Sequence, residues 1–272
     1  MNQPAYWDCH MHSEFSSDSP TPMEEMIRAS IDRHLSGICF TEHLDPDFPT
    51  TPDGLDFSLD IPAYSRKLRK LQETYRDKIS IRFGIELGLQ PHLGEYFRSL
   101  ISSNSFDFVI GSSHLIHGCD PYYPEYFRHC SEAEGYREYF SSILENLSAF
   151  DGMDVYGHID YIVRYGPNKN RDYSYEKYRD ILDEILLTLI RKHVGIEVNT
   201  GGLHYGLGEP NPCTDVIRRY RELGGEIITI GSDAHTPEKI AWEFPKATSI
   251  IRECGFRYYT VFENRKPFFI KL

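Results

Sequence analysis

Short runs rich in β-branched and aromatic residues alternate with longer amphipathic stretches from one end of the chain to the other. This alternation confines the fold to a parallel sheet covered by helices. The β-rich runs fall at 5–9, 37–41, 79–85, 106–111, 154–157, 195–198, 226–230 and, less regularly, 258–262. Between them apolar residues recur at helical spacing: Met23, Met26, Ile27 and Ile31; Tyr64, Leu68, Leu71 and Tyr75; Tyr178, Ile181, Leu182, Ile185 and Leu189. Thr21-Pro22-Met23-Glu24 predicts a helix entry, with Thr21 as N-cap, Pro22 in the first helical position and Glu24 as the capping-box acid. Segments 45–60 and 199–212 hold too much Pro, Gly and Asp for regular structure and read as long strand-to-helix loops beside the active face. No repeat, low-complexity tract or linker interrupts the pattern. The expectation is one α/β domain over 1–272, a closed or distorted TIM-like barrel of seven or eight units.

A chain of 272 residues buries enough surface to be stable without a disulfide or structural metal, so a metal here is expected to be functional. Asp plus Glu outnumber Lys plus Arg by 41 to 29, and the net charge of −12 repels nucleic-acid backbones and anionic membranes. No apolar run is long enough to span a bilayer. The first ten residues lack the basic and apolar regions of a signal peptide, and the six cysteines form no C-x-x-C pair or regular framework. A reducing cytoplasm is the simplest reading.

The β-rich runs repeatedly end in a histidine or a carboxylate. Asp8-Cys9-His10-Met11-His12 closes the first, Thr41-Glu42-His43 the second and Gly84-Ile85-Glu86 the third. Ser112-Ser113-His114, Gly157-His158 and Ser232-Asp233-Ala234-His235 close three more. In a barrel of this kind the carboxyl ends of the strands converge on one face, so these groups are aimed into one cavity. His10 and His12, two apart on extended chain, point to the same side, as do Asp233 and His235. Imidazoles and carboxylates without a thiolate suit zinc, iron or manganese in a working site rather than a structural zinc knot.

In this order and spacing, D-C-H-M-H-S-x-x-S-x-D, T-E-H, G-I-E-L-G, G-S-S-H, G-H-I-D and G-S-D-A-H resemble the PHP (polymerase and histidinol phosphatase) family, and within it the stand-alone histidinol-phosphate phosphatases. The resemblance covers essentially the whole chain. It implies a distorted (β/α)7 barrel with three divalent metal ions, cleaving L-histidinol phosphate to L-histidinol and phosphate in histidine biosynthesis by attack of a metal-bridging hydroxide. Carried over, the first metal is held by His10, His12, Glu86 and Asp233. Glu86 bridges to a second, completed by His114 and His158, and Asp18, His43 and His235 hold the third. The excess positive charge of such a centre attracts a phosphate dianion even on an acidic protein. Asp233 is the candidate to manage the nucleophile's proton, and His204 the candidate to protonate the leaving alcohol.

Beyond the metal set, Arg164 follows a ligand-bearing strand and is expected to clamp phosphate oxygens. His204, in a loop resembling the family's N-T-x-G-L, is a further substrate-binding candidate, and His117 is expected near the mouth. Glu42 should point away from His43, while Asp8 and Asp160 suit hydrogen bonds to ligand histidines. His34, His92, His129 and His193 read as structural. The aromatic segment 120–127 is a candidate wall for an imidazole ring, with Glu125 or a neighbouring acid pairing an amine. Cys9 and Cys39 read as small core residues. Two rivals remain open: a phosphoesterase acting on another small phosphomonoester or nucleotide, and a non-catalytic metal-binding module.

Overall fold

A computed structural model describes residues 6–51 and 53–272; Ala5, where the first strand was expected to start, lies outside them. Seven strands form one parallel sheet in sequential order. They are β1 (Trp7–Met11), β2 (Gly37–Leu44), β3 (Ser80–Gly88), β4 (Phe108–Ser112), β5 (Val155–Tyr156), β6 (Gly195–Asn199) and β7 (Ile228–Gly231). The first strand meets the last through a parallel bridge between Met11 and Ala234, and the His12 and Asp233 N–H groups donate to the Ala234 and His10 carbonyls, both at 2.9 Å. The sheet thus curls into the expected distorted (β/α)7 barrel. Every residue of β2 is buried, as befits a strand packed on both faces.

Helices cover the outside: α1 (Met23–Asp32), α2 (Ile61–Tyr75), α3 (Gly94–Ser103), α4 (Glu132–Ala149), α5 (Arg179–Arg191), the short α6 (Gly201–His204), α7 (Thr214–Glu222) and α8 (Phe244–Glu253). α2 buries Tyr64, Leu68, Leu71 and Tyr75, and α5 buries Ile181, Leu182, Ile185 and Leu189, the apolar rows anticipated from spacing. The entry to α1 differs from expectation. Pro22 is the N-cap, and the Thr21 hydroxyl instead donates to the His235 carbonyl at 3.0 Å. Glu14, from the loop after β1, accepts the Met23 N–H in its place. A tertiary contact has taken the capping side chain away from its own helix.

The last β-rich run does not join the barrel. β8 (Tyr258–Glu263) pairs antiparallel with β9 (Lys266–Lys271), and this hairpin sits against the strands' amino ends. The Trp7 N–H donates to the Tyr259 hydroxyl at 3.1 Å, the Ile228 N–H to the Thr260 hydroxyl at 3.3 Å, and the Arg265 N–H to the Asp107 carbonyl at 2.9 Å. One end of the barrel is therefore closed by chain, and the chemistry is left to the other. Among the described residues no helix is long and apolar enough to cross a membrane.

Candidate metal centre

The carboxyl ends of the strands bring the sequence's candidate ligands together. Parallel register sets His43 of β2 beside Glu86 of β3, and their side chains meet at 3.0 Å between Nδ1 and Oε2. His10 and His12 present their Nε2 atoms 3.1 Å apart, 3.1 and 3.6 Å from Glu86 Oε2, and 3.6 and 3.4 Å from Asp233 Oδ1. Glu86 Oε1 lies 3.3 Å from His114 Nε2 and 3.0 Å from His158 Nε2. Asp18 Oδ2 lies 3.7 Å from His43 Nε2 and 3.1 Å from His235 Nε2.

These separations fit metal ligation. Donors about 2.1 Å from a shared ion stand roughly 3.0–3.4 Å apart at octahedral to tetrahedral angles. Buried His235 Nε2 and His43 Nδ1 make no well-aligned hydrogen bond although carboxylate oxygens lie 3.1 and 3.0 Å away. Without a cation the cluster sets buried imidazoles against one another. Burial and the neighbouring His43 and His235 hold His12 well below the ordinary histidine pKa. Burial also disfavours charge on His10, but Glu197, Glu86 and Asp233 outweigh it and hold that ring well above the ordinary value. An oxygen and nitrogen donor set this dense suits divalent cations.

The groups that orient the ligands were largely unanticipated. Glu197 of β6, wholly buried, holds His10 Nδ1 at 2.6 Å and accepts the His158 N–H at 3.1 Å. Asp45 holds His114 Nδ1 at 2.6 Å. The Ser16 hydroxyl stands 3.2 Å from His12 Nδ1 and donates to Glu42 at 2.7 Å, so Glu42 supports the cluster from behind. Such contacts fix tautomer and ring orientation. Asp8 and Asp160, expected in that role, tie down neighbouring loops instead, through side chains as well as backbone. Asp8 accepts from Ser232 and the Ala241 N–H, and Asp160 from Asn211 and the Cys213 N–H. Alternation along β6, which aims Glu197 at the interior, is the signal that could have found it.

Two candidate ligands sit on strained backbone: His158 at φ 21° and Asp233 at φ 58°. The Asp233 N–H bond to the His10 carbonyl holds that turn. The glycine of the G-S-D-A-H motif has a steric cause, since a Cβ on Gly231 would overlap Glu197 Oε1 and His10 Cβ. On Gly88 a Cβ would overlap the Asp45 carboxylate.

A cavity of about 100 Å³ opens above the cluster, lined by Asp18, His43, His114, His158, Asp233 and His235 together with Arg164, Asp120, Phe48, Phe57 and three tyrosines. Arg164 is buried between the rings of Tyr161 and Tyr205. Its Nε donates to Asn211 at 2.8 Å, Nη1 to Asp233 at 3.1 Å and Nη2 to Asn199 at 2.8 Å. Of the five guanidinium N–H groups, one on each Nη is left for a ligand. His204 lines an adjoining cavity of about 310 Å³ with Lys239 and Trp242, and its Nδ1 lies 2.6 Å from the Lys239 ammonium. Burial, then Lys239 and Arg164, lower the His204 pKa. Lys239 is the cation that the sequence reading missed.

His117 is carried elsewhere. At φ 48° in the turn after β4 it is exposed, paired with Glu138 at 3.2 Å and Glu145 at 3.4 Å on α4, and lines a separate cavity of about 700 Å³. Glu125 lines that same cavity and pairs with Arg128 at 3.1 Å, so it does not reach the cluster.

The PHP domain profile matches residues 8–201. A histidinol-phosphatase of Lactococcus lactis subsp. lactis is 34% identical over 95% of each chain, and a probable histidinol-phosphatase of Clostridium acetobutylicum is 32% identical over 92% of this chain and 94% of that one. The crystal structure of histidinol phosphate phosphatase from Lactococcus lactis, complexed with zinc, L-histidinol and phosphate, superposes with a TM-score of 0.90 at 33% identity, covering 98% of this chain and 100% of that one. Fold, order of strand-end motifs and extent of match coincide along the chain, which belongs to the PHP domain family.

Proposed function

We propose that the protein is a metal-dependent phosphomonoesterase that converts L-histidinol phosphate to L-histidinol and phosphate, a step of histidine biosynthesis. The observation that carries this reading is the double role of Glu86, whose Oε1 faces His114 and His158 while Oε2 faces His10 and His12. One carboxylate can then join two cations on the cavity floor. In this reading His10, His12, Glu86 and Asp233 would hold one ion, Glu86, His114 and His158 a second, and Asp18, His43 and His235 a third. Zinc, iron and manganese all suit these donors. The zinc, L-histidinol and phosphate of the Lactococcus lactis structure support the choice of ion and substrate. When bound, the cations supply Lewis acidity, which activates water and neutralises phosphoryl charge.

The chain's own groups do the rest. Asp233 turns Oδ1 toward His10 and His12 while Oδ2 is tied to Arg164 and Asn199, so its carboxylate is positioned to take the attacking water's proton. The free N–H groups of Arg164 are suited to two phosphoryl oxygens. In-line attack forms the new P–O bond as the P–O bond to the alcohol breaks, the leaving alkoxide takes a proton from solvent water in the open cavity, and Asp233 returns the proton it accepted to that solvent. The Lys239 ammonium, shared with His204, supplies positive charge on that side. Residues 202–272, beyond the profile match, contribute Asp233, His235 and Lys239, so we treat the whole chain as one functional domain. Its free thiols suit a reducing cytoplasm.

The test is phosphate release from L-histidinol phosphate by metal-loaded protein, compared with glycerol 2-phosphate and a nucleoside monophosphate and repeated after chelation. The expected result is a preference for L-histidinol phosphate that vanishes with the metal. Even rates across the esters would keep the chemistry and remove the substrate. No release from any of them would leave the metal-binding module.

A further inference from the structure

Arg164 is held by an unequal set of acceptors. Among the described residues Asp233 is the one carboxylate within ion-pair distance of its guanidinium. The other two partners are neutral amide oxygens, Asn211 Oδ1 on Nε and Asn199 Oδ1 on Nη2, both at 2.8 Å. Three carboxylates would cancel the charge of the guanidinium, whereas amides fix its plane and leave the charge to attract an anion. An amide serves that purpose only if its oxygen, and not its NH2 group, faces the arginine. Here each NH2 group is drawn the other way by a buried carboxylate. Asn211 Nδ2 donates to Asp160 Oδ1 at 2.5 Å, and Asn199 Nδ2 donates to Glu197 Oε2 at 3.1 Å. Asp160 is itself fixed by the Cys213 N–H, which donates to Oδ2 at 2.8 Å. Both asparagines are fully buried, and they stand side by side because their backbones exchange N–H to carbonyl bonds of 2.8 and 2.9 Å. Two consecutive glycines leave the amides their room. A Cβ on Gly201 would lie 2.7 Å from Asn199 Oδ1, and one on Gly202 would lie 2.7 Å from Asn211 Oδ1.

We propose that Asn211, its amide turned by Asp160, is a positioning residue for Arg164, holding the guanidinium in place with its positive charge intact so that the free N–H on each Nη meets a phosphate dianion. This rests on the assignment of Arg164 to phosphate in the reading above and deepens it. Neither Asn211 nor Asp160 lines the cavity over the cluster or the one beside His204, so their effect on a bound anion runs through Arg164. The donors of a free arginine side chain would have to be ordered when the anion arrives, and that cost is removed when the fork is fixed beforehand.

The experiment measures binding of inorganic phosphate to the metal-loaded protein by calorimetry, and kcat/KM on L-histidinol phosphate. It compares wild type, Asn211→Ala, Asp160→Asn, Arg164→Ala and the double variant of Arg164→Ala with Asn211→Ala, with bound metal and melting temperature recorded for each. A hydrogen bond to a charged group is worth a factor of about 10 to 100, so Asn211→Ala should weaken phosphate binding and lower kcat/KM by about tenfold or more while the metal stays bound. Asp160→Asn cannot accept from both Asn211 and the Cys213 N–H, and it should move both readings the same way by a smaller factor. In the Arg164→Ala background, loss of the Asn211 side chain should cost less than about twofold more, because groups that act through one residue are not additive. A full further loss in the double variant would overturn the proposal, as would phosphate affinity within about twofold of wild type in Asn211→Ala. If Asn211→Ala does not fold, Asp160→Asn decides by the same criterion. Phosphate binding is read without turnover, so a wild type that binds phosphate but releases none from L-histidinol phosphate would remove the phosphatase reading and leave the Asn211 comparison valid. A metal-loaded wild type that binds no phosphate would remove this proposal.

Discussion

Arg164 shows how one side chain can serve a site twice. Three of its N–H groups tie down Asn211, Asp233 and Asn199, and in the proposed reaction the remainder would meet phosphate. Arg164→Ala should lower kcat/KM on any phosphomonoester by about 10- to 100-fold, and Arg164→Lys should not restore it, because a single ammonium cannot reproduce the fork. Steady-state kinetics with metal analysis checks both, and full rescue by lysine would mean that charge alone matters. The His204 and Lys239 pair makes a sharper contrast. With its pKa lowered and Nδ1 engaged, His204 should tolerate alanine with a loss of less than about fivefold. Removing the Lys239 ammonium should cost about tenfold or more in kcat/KM. A large loss in His204→Ala together with a vanished acidic limb in its pH profile would return His204 to the role of proton donor.

At the scale of elements, ligand geometry is fixed by strand register and by where backbones come close. The in-register pairing of β2 and β3 sets His43 against Glu86, and a one-residue slip of β2 would turn His43 away from the cavity and from Glu86. Where β7 ends, Gly231 leaves room for Glu197 and His10. Gly231→Ala should destabilise the protein by about 1–3 kcal/mol and weaken metal retention, as seen in thermal melts and in titration with a competing chelator. Unchanged metal affinity there would show that Glu197 shifts freely and does not position His10. Glu197→Ala, which removes the orienting group outright, should weaken metal binding about 10- to 100-fold in the same titration.

At the scale of the whole molecule, the barrel gathers residues from both ends of the chain into one buried cluster. Imidazoles and carboxylates enclosed without water are costly unless a cation partners them, so the metals should be part of stability as well as of chemistry. Chelation should lower the melting temperature, and re-addition of zinc or manganese should restore it. A melting curve indifferent to chelation would argue that the cluster is stable by itself. The hairpin of β8 and β9 closes the opposite end, so opening it should affect stability before activity.

Much of this was legible along the chain because its causes are local. Alternating β-rich and helical segments specify a parallel sheet under helices, and a histidine or carboxylate at successive strand ends must converge on one face. His10, His12, Glu86, His114, His158 and Asp233 could be named from the sequence as convergent candidate ligands for that reason. The misreadings share a physical cause, which is competition from distant chain. Thr21 caps no helix because the His235 carbonyl claims its hydroxyl, and the last β-rich run pairs with β9 instead of the barrel. Asp8 holds Ser232 and Asp160 holds Asn211 and the Cys213 N–H where ligand support was expected, while Glu197 and Asp45 reach the histidines. Periodicity determines which face a side chain takes, but which partner it finds there depends on strands far away in sequence. The candidate ligand types and their convergence were thus written in the chain, whereas the groups that aim them and the placing of Lys239 beside His204 were decided only by the closed barrel.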